Sequence, residues 1–168
     1  MSVNFVKFDV KETVNIVTSS PAFKNWDKND AYLASLFFLD NLWNVDFYSK
    51  TSKKMTSFIL DSVVRKKEEQ IVFQKEVHDV EELQLSGIKV PLAEALTTIE
   101  LVKASKAPEE QVTKLIIILQ QKKFPLWNIT YLTSAFNLLN VKMNAFNKKI
   151  EEETFSSVFN FKQNPAKE

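Results

Sequence analysis

Apolar and polar residues alternate in two stretches that lie far apart in the chain. In LWNVDFYS, Trp43, Val45 and Phe47 share one face, and the polar residues share the other. In LWNITYLT, Trp127 stands where Trp43 stands in the first stretch. Period-two alternation is typical of a strand with one buried face. The pattern therefore predicts two equivalent, half-buried strands.

The elements around these strands follow the same order in each half of the chain. Residues 10–20 place valines at helical spacing behind Asp9 and Glu12, which form an N-terminal capping pattern. Pro21 ends this helix, and AFKNWDKND is interpreted as a polar loop. The other predicted elements are strands in AYLASLFFLD, MTSFIL and VVRKKEEQIVFQ, a second helix from about Pro91, and strands in TKLIIILQ, LLNVKMNA and KKIEEETFSSVFNF.

The predicted fold is therefore α+β, with two repeats that each contain a helix and a four-stranded antiparallel meander. The repeats form either one continuous sheet or a pseudo-twofold pair. A helix across one face of each sheet would explain why polar residues occupy alternate positions. The predicted boundaries are a first repeat at 1–76, a connector at 77–90, a second repeat at 91–161 and a disordered tail at 162–168.

The second repeat resembles the PepSY-type domains. The helix PLAEALTTIELV is followed by a meander ending in VKMNAFNKKIEE, where Val141, Met143, Asn144 and Ala145 stand at the positions of the family's last hairpin, with Asn144 in place of its acidic residue. VDFYSKTSKKMTSF is a looser match in the first half, and FNKK replaces the family's glycine turn. The resemblance implies a cystatin-like layout and a non-catalytic role, in binding or restraining peptidases or in sensing at the cell envelope.

Composition excludes several classes of function. The net charge of this 168-residue chain is +1 and Arg65 is its only arginine, which is not the electrostatic footprint of a nucleic-acid-binding protein. The absence of cysteine excludes disulfides, thiolate catalysis and iron–sulfur clusters. The chain has one glycine, Gly87, which is too few for a phosphate-binding loop. For the same reason, its tight turns must use Asn, Asp, Ser or Lys. The sequence contains no apolar segment long enough for a membrane span and no export signal, so a cytoplasmic protein is predicted. Because the cofactor-binding motifs are absent, no cofactor is predicted.

The candidate binding residues are mostly aromatic. Trp43 and Trp127 could form the floor of a ligand pocket, but we favour packing in the core beneath the helices. Tyr48, on the opposite face of its strand, and the nearby Tyr32 are candidates for a surface contact. In the last predicted strand, Phe155 and Phe159 could present an edge to a partner. These are the predicted contact residues.

Two polar groups were weighed as catalytic or metal sites. His78, the only histidine, lies in EVHDVEE beside acidic residues, and we interpret it as a solvated connector residue because neighbours in sequence rarely converge on one point. Glu151, Glu152 and Glu153 begin the last predicted strand, where Glu152 faces away from the other two. We interpret these charges as protection of an edge strand against aggregation.

Three functional hypotheses follow. The first is a non-enzymatic binding or regulatory module that acts through a protein partner or as a homodimer. The second is a sensor of a small apolar ligand held between helix and sheet. The third, an acid/base enzyme that uses His78, has the least support because no catalytic set is assembled in the sequence.

Overall fold

The computed structural model describes residues 9–67, 70–71 and 80–159. Its elements are α1 (Val10–Ser19), α2 (Pro21–Lys24), β1 (Tyr32–Leu39), β2 (Leu42–Ser49), β3 (Lys54–Leu60), β4 (Val64–Lys66), β5 (Gln70–Ile71), α3 (Leu92–Lys106), β6 (Val112–Gln121), β7 (Pro125–Thr133), β8 (Asn137–Asn144) and β9 (Ile150–Ser157). A 3₁₀ turn at Leu85–Gly87 precedes α3. His78 and the predicted tail at 162–168 lie outside the described residues.

All the strands belong to one antiparallel sheet. Its order is β4–β3–β2–β1–β6–β7–β8–β9, and β5 pairs with β3. The centre of the sheet is the pairing of β1 with β6, in which Ser35 to Phe38 lie opposite Gln120 to Ile117. We call this pairing the seam, because it joins the two halves of the chain.

The α+β class is correct, but the division into two helix-plus-four-strand repeats is wrong. The seam makes the strands one sheet, and a single hydrophobic cluster contains residues from both halves, such as Val45 and Ile129. The halves also differ in their elements. The first contains two helices, and its strand β4 has three residues, whereas β9 has eight.

The two alternating stretches form β2 and β7, and Trp43 and Trp127 lie on the same side of the sheet. Val45 and Ile129 are buried on this side, where the helices pack. Trp127 donates a 2.9 Å hydrogen bond from Nε1 to the carbonyl of Val90, just before α3. The predicted core position of both rings is confirmed.

The segment 22–30 is not the polar loop that its composition suggests. Ser20 accepts a hydrogen bond from the Phe23 amide at its Oγ and donates one to the Val17 carbonyl, so it ends α1 and begins α2. This turn places Phe23 in the core, against Phe47 and Phe58, with ring centroids 4.9 and 5.3 Å away. The aromatic rings outweigh the polar neighbours because burying each one removes a large apolar area from water.

Residues 80–90 pack along one end of the sheet. Leu83 and Val90 are buried, and the Leu83 amide donates to the carbonyl of Leu33 in β1. The amides of Lys89 and Val90 both donate to the carbonyl of Ala145, after β8. This part of the predicted connector therefore closes the core beneath both halves of the sheet.

Tight turns use the residue types expected of a chain with one glycine. Asp40 and Asn41, between β1 and β2, have φ values of 51° and 64°, and Lys53 and Lys148 also adopt positive φ. Asparagine and aspartate tolerate this left-handed conformation better than most residues. Phe136, at φ 57°, is the exception that composition did not predict.

Candidate functional site

The face of the sheet opposite the helices is the candidate functional site, and we call it the open face. Along each strand its residues alternate with those of the core. One row crosses the sheet from β3 to β9 through successive register partners: Ile59, Asn44, Phe37, Ile118, Asn128, Lys142 and Glu152. Apart from the buried Asn44 and the exposed Glu152, these side chains are half-buried.

The middle of the open face is apolar. Phe37 and Ile118 are direct partners across the seam, and Leu39 and Ile116 lie two residues further along on the same face. All four side chains are half-buried. We call these four residues the seam patch. The patch depends on the seam, since each half of the chain supplies two of its side chains.

An amide-rich cluster borders the seam patch on the side of β7 and β8. Asn140 donates from Nδ2 to Asn128 Oδ1 at 2.6 Å and to Thr130 Oγ1 at 2.7 Å. Within the described residues, Asn128 Nδ2 and Asn140 Oδ1 take part in no hydrogen bond. Neutral donors and acceptors are therefore available beside the apolar patch.

On the other side of the patch, an aspartate lies between two serines. Asp46 accepts a 2.6 Å bond from Ser57 Oγ and a 2.8 Å bond from Ser35 Oγ, across β3, β2 and β1. Burial raises the pKa of Asp46, while the two serine hydroxyls and the positive charge of Lys67 oppose that rise. Desolvation of the carboxylate has the larger effect, so its negative charge weakens the fold.

Next to this group, Asn44 donates from Nδ2 to the Phe37 carbonyl at 3.3 Å, but its Oδ1 is buried without a partner. A buried acceptor that makes no bond costs about 1–3 kcal/mol. The unpaired Oδ1 of Asn44 therefore lowers the stability of the fold.

Tyr48 lies on the open face, but the expectation that it is exposed is wrong. The residue is 4% exposed, and its ring packs edge-on against Tyr32 at a centroid distance of 5.9 Å. Tyr32 in turn donates from its hydroxyl to the Val80 carbonyl. The strand alternation correctly predicted which face Tyr48 occupies, but it could not show that other residues cover this end of the face.

The remaining predicted contact residues lie at the far end of the sheet. Phe155 is 38% exposed on β9, on the helix side, where its register partner is Leu139. Phe159 is 64% exposed and packs against Phe136 at a centroid distance of 5.8 Å. The structure brings neither of them near Trp43 or Tyr48, so the predicted residues do not form one site.

Sequence reasoning missed the seam patch and the amide-rich cluster. The apolar runs of β1 and β6 provided a signal for the patch, since a strand that is apolar on both faces suits the centre of a sheet. The amide-rich cluster depends on the register of β7 with β8, and isolated asparagines gave no sign of it.

No family model and no curated protein matches the chain. Its fold is similar to the crystal structure of a "putative lipoprotein" from Clostridium difficile 630, with a TM-score of 0.56 and 14% sequence identity over 87% of this chain and 91% of that chain. At that identity the similarity concerns the fold alone. The resemblance to PepSY-type domains stays a prediction. No helix within the described residues is long and apolar enough to cross a membrane.

Proposed function

We propose that the protein is a non-enzymatic binding module that contacts a protein partner through the open face. The observation that supports this proposal is the seam patch, an apolar centre bordered by the neutral amides of Asn128 and Asn140. Protein interfaces commonly combine an apolar centre with a polar rim whose groups form hydrogen bonds.

The charges of the face indicate what kind of partner it fits. Lys142 is paired with Glu152 at 2.7 Å, and Asp46 is engaged by two serines. The four side chains of the seam patch are uncharged, so the centre of the face presents a surface that is close to neutral. Such a surface suits a protein that offers apolar side chains and hydrogen-bonding groups, rather than a polyanion.

A photo-crosslinking amino acid at position 37 tests the proposal in the native organism. Phe37 is on the seam patch, and Leu101, 69% exposed on α3, is the control position. We expect the probe at position 37 to give a crosslinked protein that the probe at position 101 does not give. Mass spectrometry would identify the crosslinked protein, which is then purified for affinity measurements.

The affinity measurements compare Ile118→Lys with Leu101→Lys. A lysine on the seam patch places a charge in the apolar centre, so we expect binding to weaken at least about tenfold, whereas Leu101→Lys has little effect. Circular dichroism checks that both variants are folded. The same crosslinked proteins from both positions, or equal affinities for the two lysine variants, would contradict the proposal.

A further inference from the structure

The backbone of β9 is the edge of the sheet in the described part of the chain. Its inner side pairs with β8 from Asn137–Ser157 to Met143–Ile150. The Val158 amide donates to the Phe136 carbonyl, which shows that the backbone groups of even-numbered residues point towards β8. Because these directions alternate as far as the register shift at Glu151, the N–H and C=O groups of Glu153, Phe155 and Ser157 point outwards.

The glutamates at this edge are already paired within the chain. Three lysine Nζ atoms lie close to their carboxylate oxygens. Lys106 of α3 is 2.8 Å from Glu153 Oε1, Lys142 is 2.7 Å from Glu152 Oε2, and Lys149 is 3.3 Å from Glu151 Oε2. Their negative charge is therefore partly compensated. The second half of the strand, from Thr154 to Ser157, carries no charge at all. This edge is less protected against pairing than three consecutive glutamates suggest.

We propose that β9 pairs antiparallel with β9 of a second copy of the chain, about a twofold axis at Thr154. This register places Glu151, Glu152 and Glu153 opposite Ser157, Ser156 and Phe155 of the other copy. An axis at Glu152 would place glutamates opposite one another, which is destabilising. In the Thr154 register each glutamate lies opposite an uncharged residue, so no like charges meet.

The backbone directions fit the same register. Glu153 and Phe155 both point outwards and lie opposite each other in this register, so they exchange both hydrogen bonds across the interface. The two Phe155 rings become diagonal neighbours, within reach of aromatic contact. Phe155 would lose most of the exposure that it has in the single chain. This inference concerns the β9 edge and does not depend on the proposed role of the open face.

Single-cysteine variants test the register directly, because the chain contains no cysteine. Thr154 lies on the axis in a pair without hydrogen bonds, where Cα atoms are about 4.5 Å apart, a distance that a disulfide spans. Ser156, on the same face of β9, would be about 14 Å from its copy. Under mild oxidation of the full chain we expect Thr154→Cys to form a covalent dimer at least about tenfold faster than Ser156→Cys.

Charge variants at Ser157 provide a second measurement that does not need oxidation. Ser157→Lys places a lysine opposite Glu151 of the second copy, and Ser157→Glu places a like charge there. Each pair occurs twice in the dimer. In sedimentation equilibrium we therefore expect Ser157→Lys to lower the dimer dissociation constant by about fivefold or more, and Ser157→Glu to raise it by about the same factor. The same substitutions at the exposed Ser52, in the turn after β2, serve as controls.

The two measurements have distinct contradicting outcomes. Equal oxidation rates for the two cysteine variants, or a faster rate for Ser156→Cys, would overturn the Thr154 register. A chain that sediments as a monomer at all concentrations would overturn the pairing itself. Neither outcome affects the crosslinking result at position 37, which tests the open face.

Discussion

At the scale of single residues, the open face contains two polar groups that weaken the fold. Asp46 has a raised pKa because it is buried, and Asn44 has a buried Oδ1 without a partner. By contrast, Trp127, which is fully buried, has its indole N–H bonded to Val90. On the core side, the Trp26 indole N–H is buried without a partner among the described residues, so buried polar groups that do not stabilise the chain occur on both sides of the sheet.

The raised pKa of Asp46 predicts a pH dependence of stability. Between the usual carboxyl pKa and the higher pKa in the folded protein, the folded state binds more protons than the unfolded state. The free energy of unfolding contributed by this group therefore falls as pH rises through that window. A neutral amide in place of the carboxylate can still accept from one serine and donate to the other, so Asp46→Asn should be more stable than wild type at neutral pH.

Urea unfolding of both proteins from about pH 3.5 to about pH 8 measures this difference. The advantage of Asp46→Asn should grow with pH through the window and then remain constant. Asp27→Asn, at an exposed position, is the control for the loss of one carboxylate. An advantage of Asp46→Asn that shrinks as pH rises would contradict the expected sign.

At the scale of elements, side-chain caps position the short helices that cover the first half of the sheet. Asp9 accepts a 2.7 Å bond from the Glu12 amide at the start of α1, as the capping pattern predicted. Ser20 serves both helices, because it bonds to the Val17 carbonyl and to the Phe23 amide. Since α2 has only four residues, its place depends on this serine and on the burial of Phe23.

Ser20→Ala should therefore lower the free energy of unfolding by more than a substitution at an exposed position does. The substitution removes both hydrogen bonds and leaves the buried Phe23 amide without its partner, although the Val17 carbonyl still accepts from the Ser20 amide, so we expect a loss of about 1–2 kcal/mol in the free energy of unfolding. Ser19→Ala, at the exposed neighbouring position, should stay within about 0.5 kcal/mol of wild type. Equal losses in urea unfolding would show that the cap does not hold α2 in place.

Elements were easier to predict from the sequence than their arrangement. The alternation in LWNVDFYS matches β2 residue for residue, and the valines behind Asp9 predicted α1. These patterns are local, since they depend on strand and helix periods. Phe23 was missed because its burial depends on a turn made by Ser20, and the surrounding composition is polar.

The arrangement of the sheet depends on contacts that have no local pattern. AYLASLFFL and KLIIIL are apolar at nearly every position, so they predict strands but neither their neighbours nor their register. The seam, and with it the seam patch, could not be derived for this reason. Residues 80–90 likewise show no periodicity, because tertiary hydrogen bonds, such as Val90 to Ala145, hold them in place.

At the scale of the whole molecule, one sheet and one core couple the two halves of the chain. Leu36 and Phe38 of β1 are buried in the same cluster as Ile117 and Leu119 of β6, their register partners. A substitution that weakens packing in one half should therefore destabilise the other half as well. Two independent repeats would not behave in this way.

Ile99→Val in α3 tests this coupling when Trp43 is the only fluorophore, in a Trp26→Phe, Trp127→Phe background. Ile99 is fully buried, so its substitution should cost about 0.5–1.5 kcal/mol. We expect the urea transition reported by Trp43 to shift by the same amount as the transition seen by circular dichroism. Ile16→Val, at a position that is 44% exposed, is the matched control. An unchanged Trp43 transition would indicate two separate units.

The position of the seam also bears on how quickly the chain can fold. Ser35 pairs with Gln120, which lies about half the chain length further along, whereas β1–β2 and β7–β8 are hairpins of neighbouring segments. Hairpins close small loops, but the seam must close a long one before any of its contacts stabilise it. Nascent chains on the ribosome would therefore display the strongly apolar β1 with one edge paired to β2 and the other edge unpaired until residues 117–120 have been synthesised. During that interval β1 is the segment most exposed to misassembly, and most in need of a chaperone.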